Sequence, residues 1–441
     1  MRRIVPLISL VALAVAGCDW FKDTDKKAKL PGERISVLAH ERTLNPDQGT
    51  QGVEIMLPAP SPNDSWPLAG GFANHAMHHI QVGDSLRQAW KSSVGTKAND
   101  EMRIVAPPIV AEGKVFALDS ETRVTALDAK TGDRLWRVDL TPRSESDDHI
   151  GGGIGYEKGR IVATTGFADV VALDAKTGKE IWRRHLDGPM RAAPLVRGGR
   201  VFAVTVENKT YALAAANGRD LWTHTGIAET ASLLGGASPA EDQGVIVVPY
   251  SSGELVAMRV ETGQVLWSES LASVRRTDEL STLSHIRGRP VIDRGLVFAM
   301  SHGETMVAVD LRSGRRVWEK RVGGMESPWI AGEYLFVLTL DGEVVCMARK
   351  DGSIHWVASL PRYRDASDAQ DKENPLLWAG PVLVSDRLIV VGSHGGALAL
   401  SPYTGELLGR QPLPDETTVP PVVAEGTVYF QTDNADIVAY R

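Results

Sequence analysis

Apolar and polar residues alternate in short runs along most of the chain, and one arrangement of them returns seven times. Each copy has a small residue, an apolar residue, a polar turn ending in glycine and, four positions later, a bulky closing residue. The copies run from Ala126 to Trp136, Ala172 to Trp182, Ala212 to Trp222, Ala257 to Trp267, Ala308 to Trp318, Cys346 to Trp356 and Ala399 to Gly409, the last with glycine at the closing position. Such short runs predict β-strands joined by turns.

The glycine of each copy predicts a tight hairpin. Glycine takes the positive φ that such a turn requires, and the residue before it is always Thr, Asn, Ser or Asp, which are turn formers. These glycines are Gly132, Gly178, Gly218, Gly263, Gly314, Gly352 and Gly405. Two strands therefore flank each glycine.

A second pair of apolar runs precedes each hairpin, and proline often opens it, as at Pro108, Pro194 and Pro290. Proline suits the first residue of a strand because it cannot donate to a ladder. Each repeat then holds four strands, and successive closing residues are 38 to 53 residues apart. This period is typical of the four-stranded blades of a β-propeller. We expect each tryptophan to pack between adjacent blades.

The ends of the repeat region predict the number of blades. A last unit begins at Pro420 and stops at Arg441, one strand short of a full blade. The missing outer strand is present at the other end, at Leu86 to Trp90. We therefore predict an all-β protein whose residues 85–441 form an eight-bladed β-propeller of four-stranded antiparallel blades, closed by its N- and C-terminal strands.

The first residues predict a secretory leader at 1–17. Arg2 and Arg3 precede an apolar stretch that is too short for a transmembrane helix. The sequence Val15-Ala16-Gly17-Cys18 resembles the bacterial lipobox, which predicts lipidation of Cys18. The alternative is a plain leader followed by a chance cysteine.

Residues 18–84 are charged and rich in proline in places, which predicts a lipid-anchored tether and N-terminal extension. Within it, we expect Trp66 to dock on the propeller as a plug or clasp. Asp19 resembles the residue that retains lipoproteins in the inner membrane of enteric bacteria, but we favour the outer membrane, facing the periplasm.

Few residues outside the repeat suggest chemistry. The formal charge of −7 argues against nucleic acid as a partner. His75, His78 and His79 have the spacing of metal ligands on a helix, but their surroundings, rich in Gly and Asn, favour a solvated loop. The glycines at 151–155, after Asp147-Asp148, fit a strand entering a crowded core better than a phosphate site. Cys346 replaces the small residue of its copy, so we expect a buried thiol.

The repeat resembles that of quinoprotein dehydrogenases, which hold pyrroloquinoline quinone, and with the lipobox the chain resembles the BamB lipoproteins of the outer-membrane β-barrel assembly machine. The dehydrogenases typically have a vicinal Cys-Cys disulfide and a calcium ion, and this sequence contains no Cys-Cys pair. The resemblance therefore implies a non-catalytic scaffold without cofactor, metal or catalytic residues. The alternative is a periplasmic quinone-dependent dehydrogenase.

As a BamB-like protein the chain is expected to bind BamA and other subunits of the machine, with unfolded β-barrel substrates as additional partners. In enterobacterial members a Leu-x-Leu-Arg-Gly stretch and an Asp-x-Asp pair meet BamA. Leu233 and Gly235 match the first pattern, whereas Leu234 replaces its arginine, and His285 and Arg287 replace the two acids. These five residues are the predicted partner-binding site. Leu233 and Leu234 could instead begin a buried inner strand.

Overall fold

The repeats fold into eight sheets that share one order of strands. The computed structural model describes residues 44–50, 52–145, 149–229, 233–272, 284–365 and 367–441. Within these residues each sheet has four antiparallel strands, as predicted, and we number the strands β1 to β32 along the chain. Helix among these described residues is limited to a 3₁₀ turn at Gln48–Thr50 and a short α-helix, α1, at Ala369–Glu373.

Blades 1 to 4 follow one another along the chain, each from its inner to its outer strand. Blade 1 comprises β2 to β5 at Ile109–Ala111, Lys114–Leu118, Arg123–Asp128 and Arg134–Asp139. Blade 2 comprises β6 to β9 at Gly153–Glu157, Arg160–Thr164, Asp169–Asp174 and Glu180–His185. Blade 3 comprises β10 to β13 at Leu195–Arg197, Arg200–Val204, Lys209–Ala214 and Asp220–Thr225. Blade 4 comprises β14 to β17 at Ala240–Asp242, Val245–Pro249, Glu254–Arg259 and Val265–Ser270.

Blades 5 to 7 repeat this order, and blade 8 departs from it. Blade 5 comprises β18 to β21 at Val291–Asp293, Leu296–Met300, Met306–Asp310 and Arg316–Lys320. Blade 6 comprises β22 to β25 at Trp329–Ala331, Tyr334–Leu338, Glu343–Ala348 and Ile354–Ser359. Blade 7 comprises β26 to β29 at Trp378–Val384, Arg387–Gly392, Gly396–Leu400 and Leu407–Pro412. Blade 8 comprises β30 to β32 at Val422–Ala424, Thr427–Gln431 and Asp436–Tyr440, with β1 at Gln88–Ser93 as its outer strand.

The ring closes through blade 8, as the ends of the repeat region predict. Strand β1 pairs antiparallel with β32, with Trp90 opposite Ala439. Arg87 and Arg441 extend this pairing, because each backbone N–H donates to the carbonyl of the other, at 2.7 and 2.9 Å. Closure gives blade 8 its fourth strand, so each of the eight described blades has four strands.

Seven tryptophans join neighbouring blades. Each lies on an outer strand, and its indole N–H donates to a carbonyl at the hairpin of the next blade, at 2.8 to 3.2 Å. The donor and acceptor pairs are Trp90–Ala129, Trp136–Ala175, Trp182–Ala215, Trp222–Val260, Trp267–Leu311, Trp318–Arg349 and Trp356–Pro402. The predicted packing between blades is confirmed, and Gly409 stands at the eighth junction.

The core lies in the second and third strands of the blades. In β3 every residue after Lys114 is buried, and in β4 the four central residues are buried. These strands read as continuous apolar runs because both of their faces meet another blade. Outer strands such as β17 bury the tryptophan, here Trp267, and expose most of their other residues. Cys346 is fully buried in β24, as expected for its column of the repeat.

Residues 61–82, which we name the strap, hydrogen-bond to the inner strands of seven blades. The acceptors or donors in the blades are Val110, Tyr156, Glu241, Ile292, Trp329, Leu383 with Ser385, and Glu425. For the remaining blade, Leu68 of the strap shares an apolar cluster with Leu195 of β10. Residues 45–441 form one compact unit. Within residues 45–84, Ile55, Trp66 and Ile80 are buried in the apolar core, so this part of the expected N-terminal extension packs on the propeller.

Candidate functional site

The two ends of the propeller axis differ. All inner strands run in one direction, so the loops between blades lead into them at one face of the ring, which we call the upper face. The strap bonds near the opposite ends of the inner strands, for example to Glu425 just after β30, and it covers the lower face of the hub. The predicted partner-binding residues lie in loops that lead into β14 and β18, hence at the upper face.

The two predicted loops touch each other. The backbone N–H of Leu233 donates to Nδ1 of His285 at 3.0 Å, so Nδ1 carries the lone pair and the ring proton lies on Nε2. Burial, with the positive charges of Arg287 and His302, lowers the pKa of His285 to about 4. At neutral pH the imidazole is therefore uncharged and holds Leu233 in place.

Arg287 forms the second link between the loops. Its Nε donates to the carbonyl of Leu234 at 3.0 Å, and its Nη1 lies 3.3 Å from the carboxylate of Glu326. Gly235 has a φ of +89°, and a β-carbon there would lie 3.1 Å from Nε of Arg287. Glycine at this position therefore permits both the left-handed turn and the approach of the guanidinium.

A cavity of about 540 Å³ opens at the upper face beside these loops. Leu233, Leu234 and Arg287 line it, together with the turn between β23 and β24 and the residues that lead into β26. Three leucines at its rim are well exposed, namely Leu234 at 40%, Leu340 at 39% and Leu377 at 58%. An apolar rim with fixed loops is a surface that a partner protein can cover.

The structure brings the five predicted residues together at the upper face, and their role in partner binding stays a prediction. Leu233 and Leu234 precede β14 by several residues, so they do not begin a buried inner strand. His285 is buried and acts by holding Leu233 rather than by offering its own surface. Leu340 and Leu377 were not predicted as site residues from the sequence. The only signal for them is an apolar residue beside Asp341-Gly342 in a turn and a Leu pair before β26.

The hub of the ring is narrow. Trp66 enters it from the strap, pairs with Val110 and stacks on Trp329 with ring centroids 6.2 Å apart. This burial confirms the expectation that Trp66 docks on the propeller. His75 lies beside Trp66, and its Nδ1 donates to the carbonyl of Pro290 at 2.8 Å. The cavity left between them and the inner strands is about 30 Å³.

The three histidines of the strap point to different partners. His75 and His79 are buried, so the solvated-loop interpretation is wrong for both. His79 donates from Nδ1 to the carbonyl of Pro58 at 2.7 Å and accepts at Nε2 from the N–H of Asp386 at 2.9 Å. Over the part of the chain that the structure describes, no three His, Cys, Asp or Glu residues come together as a metal site.

The glycine-rich stretch at 151–155 lies in the core, as expected. A β-carbon on Gly152 would lie 2.4 Å from the carbonyl oxygen of Ala192, and one on Gly153 would lie 2.7 Å from Cβ of Ala193. These glycines therefore allow β6 to pack closely on the neighbouring blade. Asp147 and Asp148 lie outside the described residues.

The residues of the hub do not fit a quinone with calcium. The hub cavity of about 30 Å³ has room for one or two water molecules, each of which needs roughly 10–15 Å³, and is far smaller than a fused-ring quinone requires. Trp66 and His75 of the strap line this small cavity. The described residues contain no carboxylate cluster for calcium. In the wider cavity of the upper face, the carboxylate of Glu326 is engaged by Arg287.

The leader at 1–17, Cys18 and the tether up to residue 43 lie outside the described residues, so their predicted roles remain predictions. Among the helices that the structure describes, none has the length and apolar character to cross a membrane.

Comparison with known proteins agrees with this architecture. The model of the protein family described as outer membrane protein assembly factor BamB matches residues 120–358. Among curated proteins, the outer membrane protein assembly factor BamB of Yersinia pestis is 24% identical over 362 residues, covering 81% of this chain and 89% of that protein.

Solved structures show the same fold. The crystal structure of BamB from Moraxella catarrhalis has a TM-score of 0.67 and 18% identity, covering 81% of this chain and all of that one. A europium-containing methanol dehydrogenase also has a TM-score of 0.67, at 14% identity, covering 86% of this chain and 98% of that one. The shared propeller fold does not distinguish a scaffold from an enzyme. Only the residues of the site can do so.

Proposed function

The chain belongs to the family of the outer membrane protein assembly factor BamB, and from this membership we propose that it is a non-catalytic scaffold in the assembly of β-barrel proteins into the outer membrane. The observation that carries the proposal is the rim of the upper-face cavity, where Leu234, Leu340 and Leu377 are exposed together. Exposed leucines on loops with fixed geometry suit binding to a protein partner.

We propose BamA as that partner, together with other subunits of the machine, and unfolded β-barrel substrates as a further class. The family resemblance puts the contact at the loop that carries Leu233, Leu234 and Gly235. His285 and Arg287 support them from beneath through the bonds to Leu233 and Leu234. A preformed loop favours binding because less conformational freedom is lost on association.

A lipid at Cys18 would hold the protein at the periplasmic side of the outer membrane. The long segment from Cys18 to the first packed residues would let the propeller reach a partner in the same membrane. This part of the proposal rests on the lipobox and on the family.

The absence of catalysis rests on the donor sets of the hub and the upper-face cavity. In the hub, Nδ1 of His75 is engaged by the carbonyl of Pro290, and burial lowers its pKa to about 3. The remaining space in the hub is too small for an organic cofactor, and in the upper-face cavity Arg287 pairs with the carboxylate of Glu326. The chain also lacks the adjacent cysteines found in quinoprotein dehydrogenases.

The test of the scaffold is copurification with BamA from solubilised membranes. Leu234→Asp places a charge on the apolar rim and is expected to weaken copurification at least tenfold, because a buried unpaired carboxylate opposes association. Leu221→Asp is the matched control, since Leu221 is 39% exposed on an outer strand far from the cavity. Equal loss in both variants, or loss in neither, would exclude the rim as the contact.

A separate experiment tests the enzyme alternative. Purified protein is mixed with pyrroloquinoline quinone and calcium, and bound chromophore and dye reduction with alcohols are measured. The expected result is neither binding nor dye reduction. Stoichiometric binding with turnover would replace the scaffold by a dehydrogenase.

A further inference from the structure

Three residues that line the small hub cavity each have a buried side-chain nitrogen for which no hydrogen-bond partner lies among the described residues. The three nitrogens are Nε1 of Trp66, Nε2 of His75 and Nε of Arg289. Trp66 is 4% exposed and His75 is 6% exposed. A buried polar atom without a partner costs about 1–3 kcal/mol, so native proteins rarely keep such atoms together around one cavity.

The cavity has the size and the walls of a site for a single small molecule. Its volume is about 30 Å³, and a water molecule needs roughly 10–15 Å³ of such space. Pro107, Pro328 and Pro381 contribute to the wall. Proline has no backbone N–H, so these residues offer no donor that competes with the three nitrogens.

The protonation of the three groups selects the ligand. Trp66 Nε1 and Arg289 Nε can only donate. His75 donates from Nδ1 to Pro290, and burial together with the charge of Arg289 lowers its pKa to about 3, so Nε2 is an acceptor. Two donors and one acceptor match a water molecule, whereas an anion would face the lone pair of Nε2. Glu326, which lines the same cavity, already supplies a negative charge near Arg289.

We propose that the hub binds one water molecule that accepts hydrogen bonds from Trp66 and Arg289 and donates one to His75. The water joins the strap at the lower face to the loop that leads into β18. That loop also carries Arg287, which holds Leu234 at the upper face. The water therefore braces the loop of the upper-face cavity from inside the ring.

A crystal structure at high resolution tests the ligand directly. The expected result is one water peak at roughly 2.7–3.2 Å from all three nitrogens. Crystals grown with bromide are expected to show no anomalous peak at the hub. A bromide peak there would make the site an anion site, and a dry hub would remove the site altogether. Nitrogen NMR of His75 at neutral pH is expected to show an unprotonated Nε2, and an imidazolium signal would contradict the assignment.

Hydrogen exchange tests the bracing of the loop. Trp66→Phe keeps an aromatic side chain but removes the N–H together with part of the indole, and backbone amides at 284–290 are expected to exchange faster by on the order of tenfold. Trp222→Phe is the matched control, because its indole N–H donates to Val260 in a junction between blades 3 and 4. Equal rates at 284–290 in the wild type and Trp66→Phe would refute the bracing role.

Discussion

The indole of Trp182 in blade 2 lies against Gly218 in the hairpin of blade 3, so closely that a β-carbon on the glycine would be 2.7 Å from Cε3 of the indole. The same indole donates to the carbonyl of Ala215 at 2.9 Å. The turn glycine therefore serves two purposes. It takes a φ of +71°, and it leaves room for the tryptophan that joins the blades.

Gly218→Ala is expected to lower the free energy of unfolding by roughly 2–4 kcal/mol, because left-handed strain and a clash with the indole add together. Gly199→Ala is the matched control. Gly199 has a φ of +73°, but a β-carbon there would meet nothing within 4 Å, so only the strain of about 1–2 kcal/mol should appear. Urea unfolding of both variants measures the difference. Equal losses would show that the contact with Trp182 does not constrain the turn.

Gly409 stands where the other junctions have tryptophan, and a β-carbon there would have open space within 4 Å. It lies inside β29 and does not have positive φ. Gly409→Val is therefore expected to stabilise the protein by about 0.5–1 kcal/mol, since valine favours the strand and restricts the unfolded chain. Gly405→Val, at a φ of +76°, should destabilise it. Thermal unfolding of the two variants checks the opposite signs.

His285 makes stability depend on pH. Its folded pKa of about 4 lies below the model-peptide value of 6.5. On acidification His285 therefore binds a proton in the unfolded chain at a higher pH than it does in the folded protein. Stability is expected to fall as the pH drops from about 6.5 to about 4, by up to roughly 3 kcal/mol from this group. His75 contributes with the same sign. His285→Gln can still accept from Leu233 and should reduce the slope, which urea unfolding at several pH values would measure. An unchanged slope would contradict the assignment.

A buried ion pair connects blades 5 and 6. Arg349 pairs with the Asp293 carboxylate and donates from Nη2 to the Asp293 carbonyl at 2.7 Å, while His78 and Arg294 also face that carboxylate. Arg349→Met is expected to cost about 3–5 kcal/mol, because it leaves a buried charge with weaker partners. The double variant, Arg349→Met with Asp293→Asn, should lose much less unfolding free energy than the sum of the losses in the two single variants. Additive losses in the double-mutant cycle would show that the two residues act independently.

Cys18→Ser is expected to move the protein from the membrane fraction to the soluble periplasmic fraction without changing its melting temperature. The reason is that lipidation would provide the attachment, whereas the packed residues form a unit of their own. Asp19→Ser should leave the protein in the outer membrane. Fractionation on a sucrose gradient measures both, and inner-membrane location of the wild type would overturn the proposed sorting.

The propeller could be predicted because its signals are local and repeated. Each hairpin glycine and each tryptophan recurs at fixed spacing, and the short final unit with its complement at Leu86 to Trp90 specifies how the ring closes. The strap could not be predicted in the same way. Trp66 and His75 meet Val110 and Pro290, which are distant along the chain, and no periodic pattern encodes such contacts.

The candidate site was predicted only in part. Departures from the repeat identified the loops of Leu234 and Arg287, but the bond between them depends on the tertiary position of blades 4 and 5. Leu340 and Leu377 join the rim because blade 6 and the residues before blade 7 curve toward the same cavity. Single apolar residues in turns are common, so their sequence context does not distinguish them.

Blade 8 combines strands from opposite ends of the propeller sequence, which affects how the ring can form. Its outer strand, β1, is among the first parts of the propeller to leave the ribosome, whereas β30 to β32 are the last. Blade 8 is incomplete until β30 to β32 have been synthesised, and until then β1 is a free strand edge that can pair wrongly. Removal of β32 would leave β1 without its pairing partner.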